Sequence, residues 1–189
     1  MSGITECAIG PPSIADGSSM WTIARDSAAL DLNSSYAYLL WCRDFAETSA
    51  VARVDGRVVG FVIGFVRPER PDTLVVWQIA VDSALRGTGI AGRLLDHLLD
   101  RHADQRVRHL ETTITAGNAP SIGLFTALAA RHQARLSRSE LFPADQFPDE
   151  HDAEDLYRID FPHRMECRER FRQDRVRGSQ LLPQLAGGV

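Results

Sequence analysis

From Trp77 the chain runs Trp-Gln-Ile-Ala-Val-Asp, turns through Arg86-Gly87-Thr88-Gly89-Ile90-Ala91, and continues as Arg93-Leu94-Leu95-Asp96-His97-Leu98-Leu99. An apolar strand that feeds a glycine-bearing loop, which in turn opens a helix, constrains the fold more than any other segment. The first turn of a helix carries N–H groups without intrahelical partners and the positive end of the macrodipole, and glycines let a ligand approach the backbone. This passage is built to receive a phosphate.

Three phosphate-binding patterns compete for it. A P-loop closes on Gly-Lys-Ser/Thr so that lysine reaches the outer phosphates, and this chain has no lysine. A dinucleotide fingerprint fits Gly87, Gly89 and Gly92, with Glu111 at the distance of a ribose-binding acid. Two details oppose it: Asp82 to Arg86 separate the strand from the first glycine, and Glu111 is followed by Thr112-Thr113-Ile114-Thr115, a continuing strand rather than a strand end. The third pattern, Arg/Gln-x-x-Gly-x-Gly/Ala, is matched by Arg86, Gly89 and Ala91. There the chain resembles the GNAT superfamily of N-acetyltransferases. The resemblance implies backbone donors from Arg86 to Ala91 around the pyrophosphate of acetyl-CoA, and a thioester held by the Ile79–Val81 strand where it splays from its neighbour.

A length of 189 residues with 44% hydrophobic and 24% charged residues suits a single globular domain with a substantial core. No apolar run is long enough for a bilayer and no basic-then-apolar leader is present, so a cytoplasmic protein is expected. A net charge of −4 disfavours a nucleic-acid partner. Cys7, Cys42 and Cys167 lack ligand spacing, so neither a disulfide framework nor a metal site is expected. The all-arginine basic set reads as genomic bias. Beyond Phe161, arginines alternate with acids up to a Gly187-Gly188 end, which reads as a flexible extension over 162–189.

The order of elements follows from periodicity and turn chemistry. Thr5 to Ile9 reads as a strand, and Asp16 or Ser18 as the cap of a helix through Met20, Ile23 and Ala24. A second helix covers Tyr36 to Phe45. Ala50–Val54 and Val58–Val66 are strands joined at Asp55-Gly56, a tight-hairpin signal. Thr73–Val81, a Gly87–His102 helix, the His109–Thr115 strand and a Pro120–Arg131 helix follow, and the rest to Ile159 reads as a hairpin. This order gives an α/β (α+β) fold, a mixed central sheet flanked by helices, which is the GNAT acyl-CoA N-acyltransferase fold, over residues 1–161.

The acceptor side is written in other segments. Asp31-Leu32-Asn33-Ser34-Ser35-Tyr36 lies between the first two helices, and its residue types pair with ammonium or carboxylate groups as readily as they form turns. Trp77 alternates with Val75 and Ile79, which reads as core packing. Glu111 and Thr112 are polar residues in an apolar strand, and a carboxylate there is costly unless it faces a polar cleft. Asn118 caps the helix that follows or touches the cofactor. Phe125 stands where many GNAT enzymes carry a tyrosine acid, and phenylalanine donates no proton.

Together Leu30–Tyr36, Val76–Val81, Leu110–Thr113, Leu141-Phe142-Pro143, Glu150-His151 and Asp155-Leu156-Tyr157 resemble the L-2,4-diaminobutyrate acetyltransferases of ectoine biosynthesis. That resemblance implies acetyl transfer from acetyl-CoA to the γ-amine of diaminobutyrate in a cytoplasmic homodimer. On that basis Glu111 and Tyr36 are the catalytic candidates, with Glu111 or a water relay removing the proton. Asp31, Asn33, Ser35, Tyr38, Trp77, Gln78, Thr112, His151 and Tyr157 bind substrate. Ile79, Ala80, Val81, Arg86, Gly87, Thr88, Gly89, Ile90, Ala91, Asn118 and Phe125 hold the cofactor. A GNAT enzyme for another small amine and a non-catalytic acyl-CoA sensor remain the alternatives.

Overall fold

The computed structural model describes residues 7–27, 30–103 and 107–162. Its strands are β1 (Cys7–Gly10), β2 (Ala50–Val54), β3 (Arg57–Arg67), β4 (Arg70–Val81), β5 (His109–Thr115), β6 (Arg135–Phe142) and β7 (Glu154–Asp160). They form one sheet in the order β1-β2-β3-β4-β5-β7-β6. Neighbours are antiparallel except β4 and β5, which are parallel, so the sheet is mixed. One face is covered by α1 (Gly17–Ser27) and α2 (Ser35–Asp44), the other by α3 (Ile90–Arg101) and α4 (Ala119–Arg131).

Local chemistry accounts for these elements. Asp55 and Gly56 take φ values of +50° and +77°, the pair of left-handed residues that a two-residue hairpin needs between β2 and β3. In α3, Ile90, Leu94, Leu95, Leu98 and Leu99 are buried at helical spacing, and they pack on Val62, Leu74, Val76 and Leu110 of the sheet. On the opposite face Tyr38 meets Phe61 edge-on, with ring centroids 6.0 Å apart, beside Met20 and Ile63.

Several expected boundaries move; β4, for one, begins at Arg70 rather than Thr73. The first strand is Cys7–Gly10, with Thr5 and Glu6 outside the described residues. The first helical turns begin earlier than Asp16 or Ser18: the Asp16 carboxylate accepts from the Ser13 N–H at 2.6 Å and the Ser13 hydroxyl at 2.8 Å, so Asp16 closes a capping box rather than starting the helix. The helix expected from Gly87 starts at Ile90, because Gly87 (φ +77°) and Gly89 (φ +83°) are left-handed and lie in the loop. The arginine-rich extension from residue 163 onward lies outside the described residues.

Two irregularities in the sheet create the site. Opposite β4, Ile63 pairs with Gln78 and Gly64 pairs with Val76, so Trp77 is an extra, unpaired residue: a β-bulge. Because side chains alternate with a period of two, the extra residue exchanges the faces. Leu74 and Val76 lie with α3 and α4, whereas Ala80, two positions beyond Gln78, packs with α1 and α2. Trp77 is therefore not in the core, contrary to its alternation with Val75 and Ile79. It is 55% exposed against Trp41, with centroids 5.9 Å apart. Second, β4 and β5 pair only from Thr73–Val75 to His109–Glu111 and then part.

Candidate active site

Where β4 and β5 part, two hollows meet. A groove of about 470 Å³ is lined by Ile79, Ala80, Val81, Arg86, Gly87, Gly89, Ile90 and Ala91, with Asn118 on the far side. The glycines expose backbone in front of the α3 N-terminus, whose first-turn N–H groups favour an anion. Arg86 donates from Nη2 to the Ser27 carbonyl at 3.1 Å, which ties the loop to the end of α1. Thr88 donates its hydroxyl to the Leu85 carbonyl at 2.6 Å and does not line the groove.

The second hollow is a cavity of about 750 Å³, and Leu30, Ile79, Asn118 and Ser121 line both it and the groove. A group carried in the groove therefore reaches the cavity at Ile79 and Asn118. Asn118 also caps α4, accepting from the Ser121 N–H at 3.1 Å, so one side chain serves both purposes named for it. Phe125 is buried at the cavity wall. Five carboxylates line the cavity, those of Asp31, Glu111, Glu150, Asp152 and Glu154, against two basic side chains, Arg67 and His151. Such a wall suits a ligand with more positive than negative charge.

The bulge places Gln78 at the centre of a relay. The Tyr38 hydroxyl donates to Gln78 Oε1 at 2.9 Å, and Gln78 Nε2 donates to the Asp31 carbonyl at 2.7 Å. Burial pushes the Tyr38 phenol up, which keeps it a donor. Tyr38 itself is fully buried and does not line the cavity, so it holds Gln78 rather than forming the wall. With its backbone fixed, Asp31 turns its carboxylate to His151.

His151 clasps that loop from the β6–β7 connection. Its Nε2 lies 2.9 Å from Asp31 Oδ2, its Nδ1 lies 2.6 Å from the Asp152 carbonyl, and its ring stacks on Phe147 at 4.3 Å. Both nitrogens face acceptors, an arrangement that the protonated imidazolium satisfies. The Asp31 carboxylate, and then the Asp152 carbonyl, hold the imidazole above the usual histidine range. With the folded value raised, the stabilisation is complete below about pH 6.5 and is lost as pH rises through the folded value. An NMR titration of the His151 ring should give a midpoint above that of an ordinary histidine, and Asp31→Asn should bring it down. A wild-type midpoint at or below the ordinary value would remove the clasp.

Glu111 is 1% exposed. Its Oε1 accepts from Arg158 Nη1 at 2.7 Å with Arg70 Nη1 at 3.8 Å, and its Oε2 lies 3.0 Å from Arg67 Nη2 without an aligned hydrogen bond. Glu154 differs. Its side chain is 16% exposed, its Oε2 has no hydrogen-bond partner among the described residues, and burial raises its carboxyl above the usual range. His151 Nε2 lies 3.9 Å from Glu154 Oε1. Asp31, His151 and Glu154 thus gather at the cavity mouth, within 4.8 Å of one another.

Of the other expected residues, Asn33, Trp77, Thr112 and His151 line the cavity. Tyr36 is 65% exposed and, like Ser35, lies at the start of α2 away from the cavity lining. Tyr157 is packed in the core behind β5, paired opposite Thr112.

The sequence pattern of the Acetyltransferase (GNAT) family matches residues 18–129, more than half of the chain. The chain belongs to the GNAT family of acetyltransferases. This GNAT chain is 60% identical over 154 residues to the L-2,4-diaminobutyric acid acetyltransferase of Streptomyces avermitilis, covering 80% of the chain and 86% of that protein. It is 57% identical over 148 residues to the enzyme of the same name from Nocardia farcinica, covering 78% of the chain and 77% of that protein. Among solved structures, the diaminobutyrate acetyltransferase EctA from Paenibacillus lautus, in complex with L-2,4-diaminobutyric acid and coenzyme A, matches with a TM-score of 0.79 at 37% identity, over 82% of this chain and 95% of that one. The GNAT fold read from Arg86, Gly89, Ala91 and the element order is borne out. Sequence reading missed Arg67, Phe147 and Glu154. Glu154 sits in an acidic run, and its one signal is alternation with Leu156 and Arg158 on the cavity side of β7.

Proposed function

We propose that this GNAT chain transfers the acetyl group of acetyl-CoA to the γ-amine of L-2,4-diaminobutyrate, giving γ-N-acetyl-L-2,4-diaminobutyrate, a step of ectoine biosynthesis. The observation that carries the reading is the meeting of the anion-binding groove with a cavity of five carboxylates and two basic side chains. Diaminobutyrate has two ammonium groups and one carboxylate, the charge ratio that such a wall complements. Relatives at 57–60% identity named L-2,4-diaminobutyric acid acetyltransferase support acetyl transfer to that acceptor.

The groove takes the pyrophosphate on the α3 N-terminus and the backbone of Gly87 and Gly89, and the thioester lies at Ile79. There the edge of β4 that faces β5 is unpaired, so N–H groups on that edge can meet the oxygen that gains charge as the amine attacks. The γ-amine must first lose a proton. Sequence reading gives that step to Glu111 or a water relay; the geometry favours Glu154, whose buried Oε2 has no hydrogen-bond partner among the described residues and whose carboxyl is shifted towards neutrality, while both oxygens of Glu111 face arginines. The C–N bond forms, the C–S bond breaks, and the second proton of the attacking nitrogen passes through water to the CoA thiolate, because Phe125 has none to give. Trp77, Asn33 and Thr112 enclose the carbon chain.

The reading extends to a cytoplasmic homodimer, for which exposed Tyr36 and Leu39 of α2 offer apolar surface, and to a domain ending near Phe161 with 162–189 as an extension. Purified protein should release CoA thiol from acetyl-CoA with diaminobutyrate, and NMR of the product should place the acetyl on the γ-nitrogen. Absence of turnover, or an α-acetyl product, would sink the assignment.

A further inference from the structure

The C–S bond must break where the cofactor groove opens into the acceptor cavity, because the acetyl group passes from one to the other. Four of the described residues line both hollows: Leu30, Ile79, Asn118 and Ser121. Leu30 and Ile79 carry no polar side-chain atom. The Asn118 amide can donate but does not pass a proton on, and its Oδ1 already accepts from the Ser121 N–H at 3.1 Å. Ser121 is left as the shared residue whose side chain both gives and takes a proton. The hydroxyls of Thr112, Thr113 and Thr115 belong to the cavity and not to the groove.

The first turn of α4 leaves that hydroxyl unspent. The Ala119 N–H donates to the Gly117 carbonyl at 3.0 Å, Pro120 has no N–H, and the Ile122 N–H donates to the Asn118 carbonyl at 3.1 Å. With the Ser121 N–H on Asn118, the backbone donors at this helix end are all used. The Ser121 hydroxyl has no hydrogen-bond partner among the described residues. Ser121 also stands four residues before Phe125, on the same face of α4, and Phe125 lines the cavity. A proton donor is thus present one helical turn from the side chain that cannot be one. The first turn of a helix favours negative charge as well, which suits a departing thiolate.

We propose that Ser121 is the catalytic group that delivers the proton to the departing CoA thiolate. As the C–S bond breaks, the Ser121 hydroxyl gives its proton to sulfur. In the same step its oxygen takes a proton from the water that has received the second proton of the attacking nitrogen. An S–H bond forms, no free alkoxide is left, and the serine returns to its starting state while Glu154 keeps the first proton. The proposal rests on the acetyl transfer proposed above. It supplies the donor that Phe125 lacks, from a different residue on the same helix.

The test compares wild type, Ser121→Ala, and a double variant that carries Ser121→Ala with Phe125→Tyr. Alanine keeps the helix cap, because Asn118 accepts from the backbone N–H at that position, and alanine is the better helix former. Single-turnover release of CoA thiol with diaminobutyrate should slow about 10- to 100-fold in Ser121→Ala, the loss of a hydrogen bond to a charged group. Affinity for acetyl-CoA should stay within about threefold, since the contact matters in the transition state. Tyrosine at 125 should recover most of the lost rate by presenting a hydroxyl from the same helix face, which a merely structural role for Ser121 would not allow. The thiol of bound CoA gives a readout that does not need the double variant to fold. Its thiolate absorbance should titrate about one pH unit higher in Ser121→Ala than in wild type, because the hydroxyl favours the charged form. A Ser121→Ala rate within about threefold of wild type, an unmoved thiolate midpoint, or a folded double variant no faster than Ser121→Ala would overturn the relay. Wild-type protein that releases no thiol with diaminobutyrate would overturn the proposed function instead, and the titration of bound CoA would still judge Ser121.

Discussion

Replacing Glu154 with glutamine is expected to lower kcat by about 10²- to 10⁴-fold, the range of a positioned general base, without weakening the fold. Two features of Glu154 separate this outcome from simple structural damage. Its Oε2 has no hydrogen-bond partner among the described residues, so the amide that replaces the carboxylate breaks no contact there. Its carboxyl is raised first by burial, and further by the charges of Asp31 and Asp155, against the lowering effects of Thr113 and His151. An acid whose folded value lies above its unfolded value binds more protons when folded. Stability therefore falls as pH rises from about 4.3 through the folded value. Glutamine never ionises and escapes that cost, so at neutral pH the variant should melt at or above the wild-type temperature. The acidic limb of the wild-type kcat profile, which reports protonation of the base, should disappear with it. A variant with near-normal kcat would return the proton to Glu111 or to water. A variant that melts well below wild type would recast Glu154 as structural.

The parts of the molecule legible in the sequence are those with local causes. Asp55-Gly56 specified its hairpin because both residues tolerate positive φ, and both adopt it. The phosphate groove was legible because a strand, two left-handed glycines and a helix start are consecutive in the chain. The site's electrostatics have no local signature. Asp31 and His151 are 120 positions apart and meet where the relay from Tyr38 to Gln78 holds the Asp31 backbone. Arg67 reaches the cavity from a strand end whose sequence reads as an ordinary exposed turn. Trp77 was misread for the plainest reason: alternation assumes an unbroken ladder, and the bulge breaks it at that residue.

The bulge has its own determinant, and changing it should have the largest effect on the fold around the site. A Cβ built on Gly64 would lie 2.4 Å from the Val75 carbonyl oxygen and 3.3 Å from that of Thr48, both of them backbone atoms that no rotamer change can move away. The space is missing because β4 carries its extra residue directly opposite, between the Ile63–Gln78 and Gly64–Val76 pairs. Gly64→Ala must then displace Val75, which is also the last residue of β4 paired with β5, opposite Glu111. Overpacking of this kind costs about 1–3 kcal/mol, which for a domain of this size lowers the melting temperature by roughly 2–12 °C. Activity should fall further than stability, because the displaced segment sets the closed end of the split and carries Trp77 and Gln78 into it. Gly123→Ala is the control. That glycine is exposed in the middle of α4, a Cβ there meets nothing within 4 Å, and relief of backbone entropy should stabilise the helix by about 0.5–1 kcal/mol. If Gly64→Ala melts and turns over like wild type, the bulge does not depend on the missing side chain. The face exchange that places Gln78 beside Asp31 would then need another cause.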